Sequence, residues 1–399
     1  MSNRTVMGQI TVESTLPEDG YAGMLIGRIY DPEVGGPTPV VVREEGVFDI
    51  SSSFATVREL CEEPNPTAAA KSATGPRLGD FADILANTLP EARDERRPWL
   101  LAPVDLQTIK AAGVTFAVSM IERVIEERVH GDSAAAAAMR EQILEEIGAD
   151  LSQVVPGSAQ SEKLKAFLVE RGLWSQYLEV GIGPDAEIFT KVPTLSAVGT
   201  GVPVGVLGTS KWNNPEPEVA LVVQASGAIV GAMLGNDVNL RDVEGRSALL
   251  LPKAKDNNAS CSLGPLLRLF DDTFDLDTVR SMSVRLEIDG SDGFHLDAAS
   301  DMSQISRDPT DLVAQLIGVH HQYPDGAVLM LGTMFAPVAD RDTPGMGFTH
   351  KEGDVVRISA PALGGLVNQV RHCENCAPWK FGISDLMKNL SRRGLLQRA

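Results

Sequence analysis

Asn213-Asn214-Pro215-Glu216-Pro217-Glu218-Val219-Ala220-Leu221-Val222-Val223 sets two carboxylates two residues apart at the head of an unbroken apolar run. Residues i and i+2 of a strand point to the same face, so Glu216 and Glu218 aim into one volume. Proline cannot donate to a sheet ladder and belongs at strand starts or edges. Pro215 and Pro217 therefore place the start of the strand here, with the acids at its mouth. Ala225-Ser226-Gly227-Ala228 reads as a tight turn, and a second strand from Ile229 to Leu234 leads back to Gly235-Asn236-Asp237. Asp237 is then a third carboxylate near the first two. Convergent carboxylates repel one another unless a cation or protons neutralise them. An oxygen-only set suits Mg²⁺, Mn²⁺ or Ca²⁺. Three protein oxygens leave about three of roughly six octahedral positions open, room for a bidentate substrate and a water. Glu-x-Glu alone is also what a solvated strand end with ordinary surface acids displays, so the surrounding residues must decide.

The chain has 399 residues and a formal net charge of −19. That length suggests two to three domain equivalents, and the apolar content is ample for a large core. The charge argues against nucleic acid or an anionic membrane as partner, and an anionic substrate would need a local cationic pocket. Only 5% of residues are aromatic, too few for base-stacking platforms. Cys61, Cys261, Cys373 and Cys376 are too few and too scattered for a disulfide framework. Cys373-Glu374-Asn375-Cys376 lacks the second half of a zinc site and reads as ordinary thiols. Met1-Ser2-Asn3-Arg4 carries no apolar signal core and no run approaches a membrane span, so a cytoplasmic enzyme is the default. Thr200-Gly201 and Gly345-Met346-Gly347 fit neither a phosphate loop nor a dinucleotide fingerprint.

Along the chain, Met24–Tyr30, Pro39–Arg43 and Val47–Ile50 alternate as strands of a small antiparallel unit. Phe54 to Glu63 is expected to be helical, and Glu63-Pro64-Asn65-Pro66 with the Ala-rich stretch after it to break the pattern. One more amphipathic helix is expected between Gly75 and Arg97, around Phe81, Ile84, Leu85 and Leu89. No catalytic set precedes residue 98, so residues 1–97 read as an N-terminal α+β domain and 98–399 as the catalytic domain. Val114 to Arg123 leads into a helix ending at Arg128. Its Arg123, Glu122, Glu126 and Glu127 are read either as site residues or as a solvated face with i,i+4 pairs. Capped helices are expected from Asp132 to Gly148 and from Ser161 to Arg171. Strands are expected at Val284–Ile288, Ala327–Leu331, Asp354–Ile358 and Leu366–Val370, and helices from Asp308-Pro309 to Ile317 and from Ile383 to Arg393. His320-His321 reads as structural or surface.

Several further stretches resemble the fumarylacetoacetate hydrolase superfamily. After Glu-x-Glu, Asp237 heads Asp237-Val238-Asn239-Leu240-Arg241-Asp242, and Ala254-Lys255-Asp256-Asn257-Asn258-Ala259-Ser260-Cys261 follows. Gly332-Thr333 and Lys351-Glu352-Gly353-Asp354-Val355-Val356 look like the superfamily's C-terminal signature. The order and spacing agree over roughly residues 100 to 399. The resemblance implies an α+β protein whose catalytic domain is a mixed β-sandwich roll. It implies Mg²⁺, with Mn²⁺ as the alternative, on Glu216, Glu218 and Asp237, and a homo-oligomer, a dimer or a dimer of dimers.

The wording is nearest to the superfamily's bacterial sugar-acid dehydratases of oxidative pentose breakdown. That implies dehydration of a small-molecule sugar acid, 2-keto-3-deoxy-D-xylonate, to 2,5-dioxopentanoate, the cation chelating its carboxylate and 2-oxo oxygens. Those dehydratases place a catalytic Glu in a segment like Glu187-Ile188-Phe189-Thr190-Lys191, which makes Glu187 the candidate acid, with Lys191 in support. Lys255, close to a cation, is expected to have a lowered pKa and to serve as a neutral base. Ser119, Arg123, Arg241 and Thr333 are the candidate substrate-binding residues. Members that hydrolyse carbon–carbon bonds carry a His-Glu pair in the region over the metal. Here no histidine occurs until His130, which argues against hydrolysis of an acylpyruvate-type substrate. That hydrolysis and a non-catalytic metal-binding protein are the alternatives.

Overall fold

The apolar run 219–223 is unbroken because both of its faces are covered. The computed structural model describes residues 6–130, 132, 135–136, 154–170, 172, 174–335, 339–342 and 347–397. Its strands are β1 (Leu25–Asp31), β2 (Gly36–Arg43), β3 (Gly46–Asp49), β4 (Arg77–Gly79), β5 (Trp99–Leu100), β6 (Thr108–Gly113), β7 (Glu187–Val192), β8 (Val204–Val206) and β9 (Asn213–Asn214). They continue as β10 (Pro217–Val223), β11 (Ile229–Asp237), β12 (Asn239–Leu240), β13 (Cys261–Leu269), β14 (Ser283–Asp289), β15 (His295–Asp301), β16 (Ala327–Met330), β17 (Val355–Ala360) and β18 (Gly364–His372).

Eleven of these form one sheet in the order β4-β3-β2-β1-β13-β11-β10-β16-β6-β7, with β5 paired to β1. All its pairings are antiparallel except β16 with β6. The strands of residues 25–49 are therefore continuous, through β1 and β13, with the strands that carry the acids. A second sheet, β15-β14-β17-β18-β8, packs on the first. From β10, Val219, Leu221 and Val223 face Val284, Leu286 and Ile288 of β14 and Val356 and Ile358 of β17 within one buried cluster. Ala220 and Val222 point the other way, into a cluster closed by Val57, Leu60 and Ala70 from two short helices. A strand buried on both sides reads as a continuous apolar run rather than as an alternation. The mixed sheets with peripheral helices bear out the α+β expectation.

The local differences have identifiable causes. The Glu63-Pro64-Asn65-Pro66 stretch does interrupt the chain after the helix Val57–Cys61, but the Ala-rich stretch after it is not a break: it forms the helix Pro66–Ser72. Asn65 Oδ1 accepts the Ala68 N–H at 2.9 Å, and proline suits the first helical turn, where its missing N–H has no partner to lose. The helix expected from Phe54 is only Val57–Cys61, capped by Thr56, and the one expected in 75–97 is Phe81–Ala86. The late helices Pro309–Leu316 and Ile383–Arg392 lie where expected, and β15 is a strand that the sequence reading did not anticipate. The Asp132–Gly148 helix falls largely outside the described residues, as does most of Gly345-Met346-Gly347. Among the described residues, no helix is long and apolar enough to cross a membrane.

Leu221 is fully buried between the two sheets. Leu221→Ala should cost roughly 2–5 kcal/mol through lost burial and a residual cavity. The check is a lower urea midpoint with an unchanged m-value.

Candidate functional site

Glu216 stands one residue before β10 and Glu218 is its second residue, so the two carboxylates share a face. The backbone ties this mouth to the end of β11. The Glu216 N–H donates to Asn236 Oδ1 at 3.2 Å, and the Asp237 N–H donates to the Glu216 carbonyl at 2.9 Å. One oxygen from each of Glu216, Glu218 and Asp237 lies within 4.8 Å of the others, and all three residues are buried. Glu218 also accepts the Gly332 N–H at 2.7 Å. Gly332 has φ 93°, and a Cβ there would stand 2.0 Å from Thr115 Oγ1, so only glycine brings this amide in. The Gly332 amide, next to the candidate Thr333, is thereby already engaged.

Three cationic side chains are packed into the same volume. Lys255 Nζ donates to Asp237 Oδ2 at 2.9 Å and to Glu216 Oε2. Arg123 bonds the other Glu216 oxygen. Lys191, fully buried, has its Nζ 2.8 Å from Asp237 Oδ1 and donates to the Val238 carbonyl at 3.2 Å. Lys191 thus supports Asp237, a correction to its expected support of Glu187. Burial works to raise the Asp237 pKa, but the Lys191 and Lys255 ammoniums outweigh it and hold it below the usual carboxylate range. Glu218 lies far above that range, through burial and the charges of Asp237 and Glu216. Burial alone would lower the Lys255 pKa, yet Asp237, Glu216 and Glu244 raise it. In this arrangement Lys255 is itself a counter-charge to the carboxylates. Buried, anionic oxygen donors around a seat already favourable to positive charge fit a hard divalent cation such as Mg²⁺ or Mn²⁺.

The helix Ala117–Arg128 covers this volume. Ser119, Glu122, Arg123 and Glu126 follow the i, i+3, i+4, i+7 rule and share one face. All four are buried, so the solvated-face reading is corrected. Met120, Val124 and Ile125 occupy the opposite face and pack on Tyr177, Leu178 and Ile182. Arg123 Nη1 donates to Glu126 at 2.6 Å. Arg241, four residues after Asp237, is gripped by Glu122 at 2.8 Å and Glu126 at 2.6 Å, with its guanidinium 4.3 Å from the centre of the Trp212 ring. Its charge and its flat face are both engaged, so Arg241 ties the covering helix to the segment after Asp237.

The cavity is lined by Gly113, Ser119, Arg123, Glu187, Phe189, Glu216, Glu218, Asp237, Glu244, Lys255 and Thr333. Glu187, Phe189 and Lys191 alternate on one face of β7. Glu187 pairs with Gly113 across the ladder, and a Cβ at Gly113 would stand 2.0 Å from Glu187 Oε2. Burial, then the charge of Glu244, pushes the Glu187 carboxyl up to about 7. The Ser119 hydroxyl donates to the Phe116 carbonyl at 2.9 Å, and the Thr333 hydroxyl accepts the Phe335 N–H at 3.2 Å. The free space among these groups is only about 20 Å³, one or two water centres. A larger acid enters only when side chains or the covering helix shift.

Six of the nine expected site residues meet around the triad: Glu216, Glu218, Asp237, Lys255, Glu187 and Arg123. Ser119 and Thr333 reach the same cavity, and Arg241 does not. Glu244 lines the cavity without having been singled out in the sequence, and Glu126, left open there between site and solvated face, bonds Arg123 behind it. Their signal was a helical spacing from Arg123 and from Arg241, invisible without knowing what the helix covers. A larger hollow of about 240 Å³ beside Tyr30, Trp99, Leu195 and Phe381 is mostly apolar and holds no acid cluster.

Residues 193–371 match the fumarylacetoacetate (FAA) hydrolase C-terminal family. The chain is 28% identical over 328 residues to a probable 2-keto-3-deoxyxylonate dehydratase of Haloferax volcanii, covering 82% of this chain and 93% of that protein. It is 29% identical over 185 residues to a 2-dehydro-3-deoxy-D-arabinonate dehydratase of Saccharolobus solfataricus, covering 46% of this chain and 58% of that protein. A solved 2-keto-3-deoxy-D-arabinonate dehydratase, complexed with magnesium and 2,5-dioxopentanoate, superposes with a TM-score of 0.61 at 20% identity, covering 88% of this chain and 99% of that one. These structural likenesses establish the fold.

The raised Glu187 pKa carries a stability consequence. Between about 4.5 and about 7 the folded protein keeps a proton that the unfolded chain has released, so this contribution is full below pH about 4.5 and lost as pH rises through about 7. Glu187→Gln lacks it. In urea titrations with chelator, wild type should lose stability relative to Glu187→Gln across that window, by at most ~1.4 kcal/mol per pH unit. A pH-independent difference would contradict the assignment.

Proposed function

We propose, from the match of residues 193–371 to the fumarylacetoacetate (FAA) hydrolase C-terminal family, that the chain dehydrates a 2-keto-3-deoxy-pentonate, 2-keto-3-deoxy-D-xylonate in the first instance, to 2,5-dioxopentanoate. The observation that carries the reading is one cavity holding three convergent carboxylates, a lysine between two of them and a fourth carboxyl with a pKa of about 7. Among the described residues lining it there is no histidine, which leaves a hydrolytic water without the imidazole base that carbon–carbon cleavage calls for. The names of the Haloferax and Saccharolobus relatives support the substrate class.

Glu216, Glu218 and Asp237 would hold the Mg²⁺ or Mn²⁺, which supplies Lewis-acid polarisation of a 2-oxo acid. The residues of the chain divide the remaining work. Arg123, held from behind by Glu126, offers a guanidinium to the substrate carboxylate. Lys255 removes a C3 proton, its amine freed once Glu216 and Asp237 serve a different cation. Glu187, protonated in a good fraction of molecules near neutral pH, gives its proton to the C4 hydroxyl, which leaves as water. Proton shifts along C3 to C5 then convert the C5 alcohol to the aldehyde, so that substrate equals product plus one water. Phe189, with its ring centre 5.6 Å from Lys255 Nζ, keeps water from the amine. Glu187 lies on β7 and Lys255 ends the helix Leu251–Lys255, so the two roles can be tested separately.

With Mg²⁺ and 2-keto-3-deoxy-D-xylonate, a coupled aldehyde assay should register 2,5-dioxopentanoate, and EDTA should abolish it. Pyruvate or another cleavage product would instead mean a hydrolase. Lys255→Met should lose both turnover and exchange of the C3 hydrogens in D₂O. Glu187→Gln should lose turnover, by about 10²-fold or more, while keeping some exchange. The opposite pattern would reverse the two roles.

A further inference from the structure

Glu244 is the charged group in the cavity wall that the dehydration does not use. It closes the short helix Arg241–Glu244, seven residues after Asp237, and is 3% exposed. It does not belong to the converging triad. Its Oε2 lies 3.1 Å from Arg123 Nη1 yet accepts no hydrogen bond. The bonds that Arg123 makes are directed at Glu126 and Glu216, so Glu244 receives positive charge without a bonded hydrogen. Buried carboxylate oxygens ordinarily have donors. One left open in the wall of a binding cavity is a socket for a donor that the ligand brings.

The carboxylate and 2-oxo end of a sugar acid offers only acceptors, whereas its hydroxylated tail offers O–H donors. Two carboxyl groups outside the triad, Glu187 and Glu244, line the same cavity. A 2-keto-3-deoxy-pentonate carries two hydroxyls, on C4 and C5. With the C4 hydroxyl given to Glu187 as leaving group, the C5 hydroxyl is left for the second carboxylate. We propose that Glu244 is a specificity-determining residue that accepts a hydrogen bond from the terminal hydroxyl of the substrate and so selects hydroxylated 2-oxo acids over acylpyruvate-type acids that lack it. The inference rests on the sugar-acid reading for its ligand class. It explains why an acid stands where an apolar tail would want a hydrophobic wall, because a site built to bond a hydroxyl rejects the analogue without it.

The test is calorimetric titration of the Mg²⁺-loaded protein with two probes, 5-hydroxy-2-oxopentanoate and 2-oxopentanoate. They differ in one hydroxyl, and neither has a C4 hydroxyl to lose. Wild type should bind the hydroxylated probe at least about tenfold more tightly, the worth of a charge-assisted hydrogen bond. In Glu244→Gln, which keeps the volume, and in Glu244→Asp, which keeps the charge beside Arg123 but draws the acceptor back, that preference should fall to within about threefold. Affinity for 2-oxopentanoate should stay near the wild-type value in both. Equal weakening of both probes would mean that Glu244 acts only by holding Arg123 and would overturn the proposal, as would a wild type without preference. Binding of neither probe would overturn the 2-oxo-acid reading itself and the assignment with it.

Discussion

Mutual repulsion among Glu216, Glu218 and Asp237 is the constraint on which the arrangement of this site depends. Unit charges within 4.8 Å of one another repel by roughly 3–4 kcal/mol per pair or more at an effective dielectric constant of about 20. The fold sets them together regardless, because hydrogen bonds across the β10–β11 hairpin fix the backbone around all three. What the protein can vary is the compensation. Lys255 and Lys191 flank Asp237, Arg123 and Lys255 share Glu216, and Glu218 receives a backbone N–H and keeps a high pKa. On the proposed function, a dication held by the three carboxylates would take over part of the compensation that Lys255 and Arg123 supply at Glu216.

That compensation reaches the covering helix. Glu126 bonds Arg123 on one side and Arg241 on the other, so the group nearest the triad and the group in the metal loop are held by one carboxylate. Removing one member of such a buried network leaves the others uncompensated, at roughly 3–5 kcal/mol. The same linkage couples the position of the helix to the charge state of Glu216. With only about 20 Å³ of free space inside, the helix and the site must rearrange together when a ligand enters.

The sequence was most informative where local rules act alone. Pro215 and Pro217 marked the start of β10, the apolar run marked a strand buried on both faces, and the turn at 225–228 returned Asp237 to Glu216 without any long-range knowledge. The break at residues 62–65 was equally legible, but the helix that follows it was not expected, because Pro66 is a first-turn residue behind an asparagine cap and the Ala-rich stretch after it continues that helix. The site beyond the triad was not legible in the same way. Arg123, Glu122 and Glu126 look like an ordinary solvated stripe, since helical spacing says which residues share a face but not what that face meets. Only Arg241, more than a hundred residues away, makes the stripe buried. Lys191 sits two residues from Phe189 and four from Glu187 on one strand face, yet its partner Asp237 lies across the fold. The direction of the Lys255 pKa depends on whether a dication or the lysine itself balances the triad, which no sequence pattern states.

The central claim is that the triad, and not the surrounding charge network, holds one divalent ion. Equilibrium dialysis against Mn²⁺, with bound ion read by electron paramagnetic resonance, tests it without reference to any substrate. The account predicts one ion per chain, an affinity at least about 100-fold lower in Glu218→Gln, and a much smaller loss in Glu122→Gln, whose carboxylate bonds Arg241. No bound Mn²⁺ in the wild type, or a Glu218→Gln protein that binds as well as wild type, would contradict it.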